Sequence, residues 1–230
     1  MKKHYLLIFS LAMAVGIIFI GSFNVKAQQT KAKEKIKFLV IAEPKDIYYS
    51  MSANERKQLM DENDAYLKKA VKAGRILEFY SIPGWNRAAS IEGYESIEEF
   101  YNHCEGSPMY PYVEFEIYPL QKIDLQTGGA EKAKPKAKMK FLVINEAKPI
   151  WYAMPAGERK KIEEANKEYG TKETKAGAFL SLYSIPGWNR AASIEQYDSI
   201  ESLYKHFEGD PYYPYAKFEV YPLIEIDLLK

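Results

Sequence analysis

The sequence matches itself without a gap when it is displaced by 103 residues. "KFLVIAEPKDIYYSM" at Lys37 falls on "KFLVINEAKPIWYAM" at Lys140, and "YPYVEFEIYPL" at Tyr110 falls on "YPYAKFEVYPL" at Tyr213. Between them "YSIPGWNRAASIE" stands unchanged over thirteen residues, at Tyr80–Glu92 and again at Tyr183–Glu195. Two copies are too few for a stacked solenoid, so the chain reads as two homologous domains, 35–125 and 139–230. The segment 126–138, "QTGGAEKAKPKAK", has the Gly, Lys, Ala and Pro content of a solvated linker. Ahead of the first copy, Lys2 and Lys3 precede an apolar run from Tyr5 to Phe23, and Val25-Lys26-Ala27 offers a small-residue cleavage site. This predicts a signal peptide over 1–27 and an exported protein, periplasmic or secreted; the rival reading is a retained N-terminal anchor. Cys104 is the single cysteine, so the cores hold the fold without an internal disulfide. A net charge of +1 without a basic face argues against nucleic acid as a partner.

Within copy one, Phe38–Ile41 reads as a strand. Ser52 and Glu55 form a capping box that opens a helix running to Gly74. Leu77–Ile82 and Ala88–Ile91 read as strands around a Pro83-Gly84 turn. Ser96–Cys104 is a short helix with Ile97, Phe100, Tyr101 and Cys104 on one stripe, and Val113–Tyr118 alternates as a closing strand. The order βαββαβ is the ferredoxin-like arrangement, an α+β fold, and copy two repeats it. Both helices of such a unit cover one face of its sheet. The bare face needs a partner, and the second copy supplies it. The expected molecule is therefore two ferredoxin-like repeats packed sheet to sheet as a fused dimeric α/β barrel, an intramolecular pseudo-dimer whose further assembly is open.

The stretch from Gly74 to Leu120 resembles the C-terminal half of the muconolactone Δ-isomerase family, within the dimeric α/β-barrel superfamily. It shares a Gly ending the first helix, a strand-Ile-x-Gly-strand hairpin, a short Ser-led helix, and Pro108-Met109-Tyr110-Pro111-Tyr112 before the last strand, matched by Pro211-Tyr212-Tyr213-Pro214-Tyr215. The resemblance implies a small-molecule ligand or substrate and proton-transfer chemistry without a cofactor. The family's isomerase uses a carboxylate on the first helix. Alignment places Asn63 and Asn166 at that position, on the inward stripes Leu59, Asn63, Tyr66, Ala70 and Ile162, Asn166, Tyr169. An amide cannot take up the proton, so the resemblance carries fold and pocket further than it carries mechanism.

Strand alternation supplies the other candidates. Tyr80, Glu116 and Tyr118, with Tyr183, Glu219 and Tyr221, are expected to face the space between the sheets. Asn86, Ser90 and Glu92 are expected to join them, with Asn189 and Glu195 in copy two, unless a bulge turns Arg87 inward instead. Glu92, Glu195, Glu116 and Glu219 are the candidate proton carriers. Arg87 and Arg190 would grip a carboxylate or pair with a Glu. Trp85 and Trp188 complete the candidate ligand-binding residues. His103 and His206 read as surface residues favoured by a helix C-terminus, with haem or metal ligation as the alternative; no metal-ligand spacing accompanies them. Cys104 reads as core. Three functions fit this pattern: a cofactor-independent isomerase or lyase acting on a small unsaturated carboxylate or lactone, a non-catalytic small-ligand-binding protein, and a haem-binding protein. No membrane partner is expected once the leader is removed.

Overall fold

The computed structural model describes residues 35–125 and 138–230. The expected leader at 1–27 and the linker up to residue 137 lie outside the described residues. Copy one runs β1 (Ile36–Pro44), α1 (Asp46–Tyr49), α2 (Ala53–Lys72), β2 (Ile76–Ile82), β3 (Arg87–Tyr94), α3 (Ile97–Gly106) and β4 (Val113–Lys122). Copy two repeats the order as β5 (Met139–Ala147), α4 (Pro149–Ala153), α5 (Ala156–Lys175), β6 (Phe179–Ile185), β7 (Arg190–Tyr197), α6 (Ile200–Gly209) and β8 (Ala216–Glu225). The capping box at Ser52 forms: its hydroxyl accepts the Glu55 N–H at 3.3 Å, and the Glu55 carboxylate accepts the Ser52 N–H at 2.8 Å. At the other end of α2, Gly74 takes φ +65°, the left-handed conformation that ends a helix at little cost for glycine. The one-turn helix α1 and a 3-10 turn at Tyr110–Tyr112 are additions to the pattern read from sequence. Both are too short to show a helical period.

Each copy forms an antiparallel sheet, and the two close edge to edge into one barrel in the order β1-β3-β2-β8-β5-β7-β6-β4. The seams are short. Tyr80 and Ser81 pair with Glu225 and Ile224, and Gln121 and Lys122 pair with Ser184 and Tyr183. Closure gives every strand of the barrel a neighbour on each side. Alternation along the strands then makes three cores. The barrel interior holds Leu39, Ile41, Ile82 and Ile91, their counterparts Leu142, Ile144, Ile185 and Ile194, and the four tyrosines Tyr80, Tyr118, Tyr183 and Tyr221. Outside it, Phe38, Val40 and Tyr94 of the sheet pack with Phe100 and Cys104 of α3, while Phe141, Val143, Tyr197, Leu203 and Phe207 form the matching layer of copy two. The rings of Phe38 and Phe100 stack at 4.2 Å between sheet and helix. Truncating either to Ala would cost roughly 3–5 kcal/mol.

The residues after each last strand cross to the other copy. Beyond β8, the Ile226 N–H donates to the Phe79 carbonyl at 3.0 Å and Leu228 is buried. Beyond β4, the Ile123 N–H donates to the Leu182 carbonyl at 2.9 Å, and Leu125 lies against Gly170.

The register corrects one expectation. Ala89 lies opposite Tyr80 and Ile41, so it faces the interior with Ile91; Ser90 lies opposite Phe79 and Val40, and Glu92 opposite Phe38, so both face the helices. Ser90 and Glu92 therefore do not join Tyr80 between the sheets, and neither do Ser193 and Glu195, which face the helices of copy two. Arg87 falls on the interior side of β3, as the alternative had it. The stripe on α3 also shifts. Phe100, His103 and Cys104 are its buried residues, whereas Ile97 and Tyr101 are more than half exposed.

Candidate functional site

Beneath the helices of copy one lies a cavity of about 410 Å³, within the roughly 300–1,000 Å³ of small-molecule sites. Val40, Ser90, Glu92 and Phe115 of the sheet form its floor, Asn63, Tyr66 and Leu67 of α2 and His103 and Cys104 of α3 its roof, and Tyr48 one wall. Copy two contributes Ile226 and Leu228 from the crossing tail. The cavity reaches the surface beside the exposed Met60 and Asp64.

Glu92 is the buried acid of this floor. Three alternate residues of β3 bring it two donors: the Ser90 hydroxyl and the Tyr94 hydroxyl each donate to one of its carboxylate oxygens at 2.6 Å. Burial raises the Glu92 pKa and outweighs the two hydrogen bonds, which lower it. The same Ser–Glu–Tyr row recurs in copy two. There Ser193 and Tyr197 donate to Glu195 at 2.5 and 2.8 Å, and burial lifts its pKa to about 7.

His103 and His206 are 8% and 6% exposed, which corrects the expected surface placement. Each packs against a tyrosine from the long helix. The Tyr66 hydroxyl sits 2.8 Å from His103 Nδ1 and donates to the His103 carbonyl at 2.6 Å, and Tyr169 holds His206 in the same way. Burial pushes the His103 pKa down to about 4, so the ring is neutral. Cys104 is a buried core residue at the cavity wall, its thiol pushed up to about 12 by burial. Asn63 faces the cavity, as its stripe foretold, and its side-chain oxygen accepts from the Ser107 hydroxyl at 3.3 Å. Asn166 holds the equivalent half-buried position on α5.

The remaining candidates gather at the barrel mouth. Arg87 pairs with Glu43, and Arg190 with Glu146 at 2.6 Å; each guanidinium also lies 5.7 Å from the ring centre of Trp85 or Trp188. Trp85 meets Tyr221 edge-on at 5.6 Å, and Trp188 meets Tyr118 at 5.9 Å, so the repeated hairpin of each copy clasps the other. Glu116 and Glu219 are exposed there and accept from Tyr118 and Tyr221 at 2.9 and 3.1 Å. Tyr80 donates to Glu78 at 2.7 Å inside the barrel, and Tyr183 lies buried in the same interior cluster. Asn86 and Asn189 sit in the hairpin turns at φ +51° and +49°, and the Asn86 amide donates to the Tyr49 hydroxyl at 2.5 Å. Glu92, Asn63, Asn86 and Arg87 thus all line the cavity, the last two on its barrel-mouth side, while Glu116, Glu219, Trp85 and Trp188 lie apart from it. Tyr94 was not singled out from sequence, although the alternation Ser90, Glu92, Tyr94 would have found it. Ile226 and Leu228 gave no sequence signal, because a crossing tail is a property of the closed barrel.

The two copies differ at this cavity. Where copy one has Tyr48, Cys104 and Met109, copy two has Trp151, Phe207 and Tyr212. Trp151 is buried and packs edge-on against Tyr212 at 4.9 Å, and Phe207 packs on Phe218 at 4.8 Å. At these three positions copy two carries the larger side chain, whereas opposite Leu67, Phe79 and Val113 it carries the smaller Gly170, Leu182 and Ala216.

The family model described as muconolactone delta-isomerase matches residues 36–124, the first copy. The muconolactone Delta-isomerase of Acinetobacter baylyi (strain ATCC 33305 / BD413 / ADP1) is 31% identical over 73 residues, which are 32% of this chain and 76% of that protein. The chain belongs to the muconolactone isomerase family. Within that family this member carries two copies of the unit in one chain. Solved structures match the whole barrel. A mutant chlorite dismutase from Candidatus Nitrospira defluvii superposes with a TM-score of 0.63 at 10% identity, covering 86% of this chain and 93% of that one. A heme-binding protein from Thermus thermophilus superposes at 0.57 and 14%, covering 85% and 93%. At those identities the likeness is one of fold, and it joins this muconolactone isomerase family member to the dimeric α/β barrels.

Proposed function

We propose that copy one is a cofactor-independent proton-transfer site for a small unsaturated molecule, an isomerase, with Glu92 carrying the proton. One observation supports this above the others: a buried carboxyl, held by two hydroxyl donors, forms part of the wall of a cavity of ligand size. A carboxyl whose pKa is raised by burial can accept a proton from one carbon of a bound substrate and return it to another. Each Glu92 oxygen keeps a lone pair beyond the one its hydroxyl donor uses. Ser90 and Tyr94 steady the carboxylate formed after proton loss. The resemblance places Asn63 where the family's isomerase has its carboxylate, so in this proposal the proton carrier lies on the sheet rather than on α2. The leader-like N-terminus would place this activity outside the cytoplasm.

Haem binding is the second reading, supported by the heme-binding protein of the same fold and by His103, whose Nδ1 is held by Tyr66 while Nε2 carries no hydrogen bond among the described residues. The His103 ring stacks on Tyr66 at 5.0 Å with Nδ1 engaged, and His206 is enclosed by the rings of Tyr169, Phe179, Tyr197 and Phe207.

The test is a paired substitution. Glu92→Gln should abolish turnover of an unsaturated lactone, by about a hundredfold or more, while leaving its affinity within a few-fold. Glu195→Gln, against the packed side chains of copy two, should leave turnover intact. Equal losses in both variants, or none in either, would remove Glu92 from the mechanism. Binding without turnover in the wild type would make this a binding protein.

A further inference from the structure

The charges around the cavity narrow the ligand class. Among the residues that line it, Arg87 is the single cation, and its guanidinium is paired with Glu43 and rests on Trp85 toward the barrel mouth. The Arg87 Nε is fully enclosed and has no hydrogen-bond partner among the described residues. Asp64 lies at the rim and is paired with Lys68 at 3.0 Å. His103 is neutral. A carboxylate lodged here would sit beside Glu92 with the one lining guanidinium already balanced by Glu43, and a buried charge without a partner of its own costs several kcal/mol.

We infer that the copy-one cavity selects neutral, largely apolar molecules with a carbonyl group and rejects their carboxylate counterparts. The inference rests on the cavity being a ligand site, and it sharpens that reading. The repeated hairpin, read from sequence, left Arg87 either gripping a carboxylate or pairing with a Glu. The geometry commits Arg87 to Glu43 and leaves polar but uncharged contacts, from Asn63, Ser90 and Ser107, for a carbonyl oxygen.

Matched pairs test this on the full chain: muconolactone and its methyl ester, and cinnamate and methyl cinnamate, titrated by calorimetry where the acids are ionised. The esters should bind, and the acids should bind roughly a hundredfold more weakly. Cys104→Phe, which installs the residue that copy two already carries, should remove ester binding. Met109→Tyr copies a second residue of copy two and should act in the same direction. Acids binding as tightly as the esters, with Cys104→Phe still blocking them, would overturn the inference and leave the cavity reading standing. Failure of every pair to bind, or binding that neither variant disturbs, would overturn the cavity reading and the inference with it.

Discussion

Asn86 and Asn189 hold the left-handed conformation in the two hairpin turns, and Gly84 and Gly187, both at φ +83°, precede them. Those residues explain the middle of the thirteen that the two copies share. On either side, Ile82, Ala89 and Ile91 fill the barrel, Ser90 and Glu92 lie under the helices, Arg87 pairs with Glu43, and Trp85 crosses to Tyr221. Nearly every side chain in the stretch is constrained on its own face. The buried titrating groups also set a dependence on pH. The Glu195 pKa rises from 4.5 to about 7 on folding, so its contribution to stability is full below its unfolded value and is lost as pH climbs through 7. Glu92 acts in the same sense. His103, lowered from 6.5 to about 4, acts oppositely: its contribution is present above 6.5 and is lost as pH falls through 4. Glu195→Gln removes one of the acid contributions. Its unfolding free energy should therefore rise with pH more steeply than that of the wild type between the ordinary Glu pKa and neutrality, by up to about 1.4 kcal/mol per pH unit. Urea unfolding across that window checks it, and parallel curves would refute it.

At the level of elements the two long helices begin differently. Ser52 caps α2, while the matching residue before α5 is Pro155, which makes no side-chain cap. Ser52→Ala should cost about 1 kcal/mol, seen as a lowered denaturation midpoint, and Pro155→Ala should show no loss of that kind. Helix α2, its cap and its inward stripe were legible because each rests on local chemistry and a 3.6-residue period. The face of β3 was not. The pairs Ile82–Arg87 and Tyr80–Ala89 fix it across the loop 83–86, whose even length puts Arg87 on the face of Ile82. A loop one residue shorter or longer would have reversed every side chain. On α3 the composition misled. Ile97 and Tyr101 look like core, yet His103 takes the buried place because Tyr66 satisfies its Nδ1.

For the molecule as a whole, the gapless repeat made the paired architecture legible, since a half-covered sheet must find a second. The cavity was not legible, because its wall comes partly from a tail whose destination depends on closure of the barrel. Removing residues 226–230 should therefore impair copy one, although the cut lies at the end of copy two. Ester binding should fall by about tenfold or more as the burial of Ile226 and Leu228 is lost, with the far-ultraviolet circular dichroism retained. Unchanged affinity would exclude the tail from the site. The difference between Cys104 and Phe207 has a consequence of another kind. In a homodimer a single gene writes each substitution into both subunits, so an altered pocket is altered twice. Joining the halves in one reading frame lets mutation and selection act on them separately, so that a position can be Cys in one half and Phe in the other.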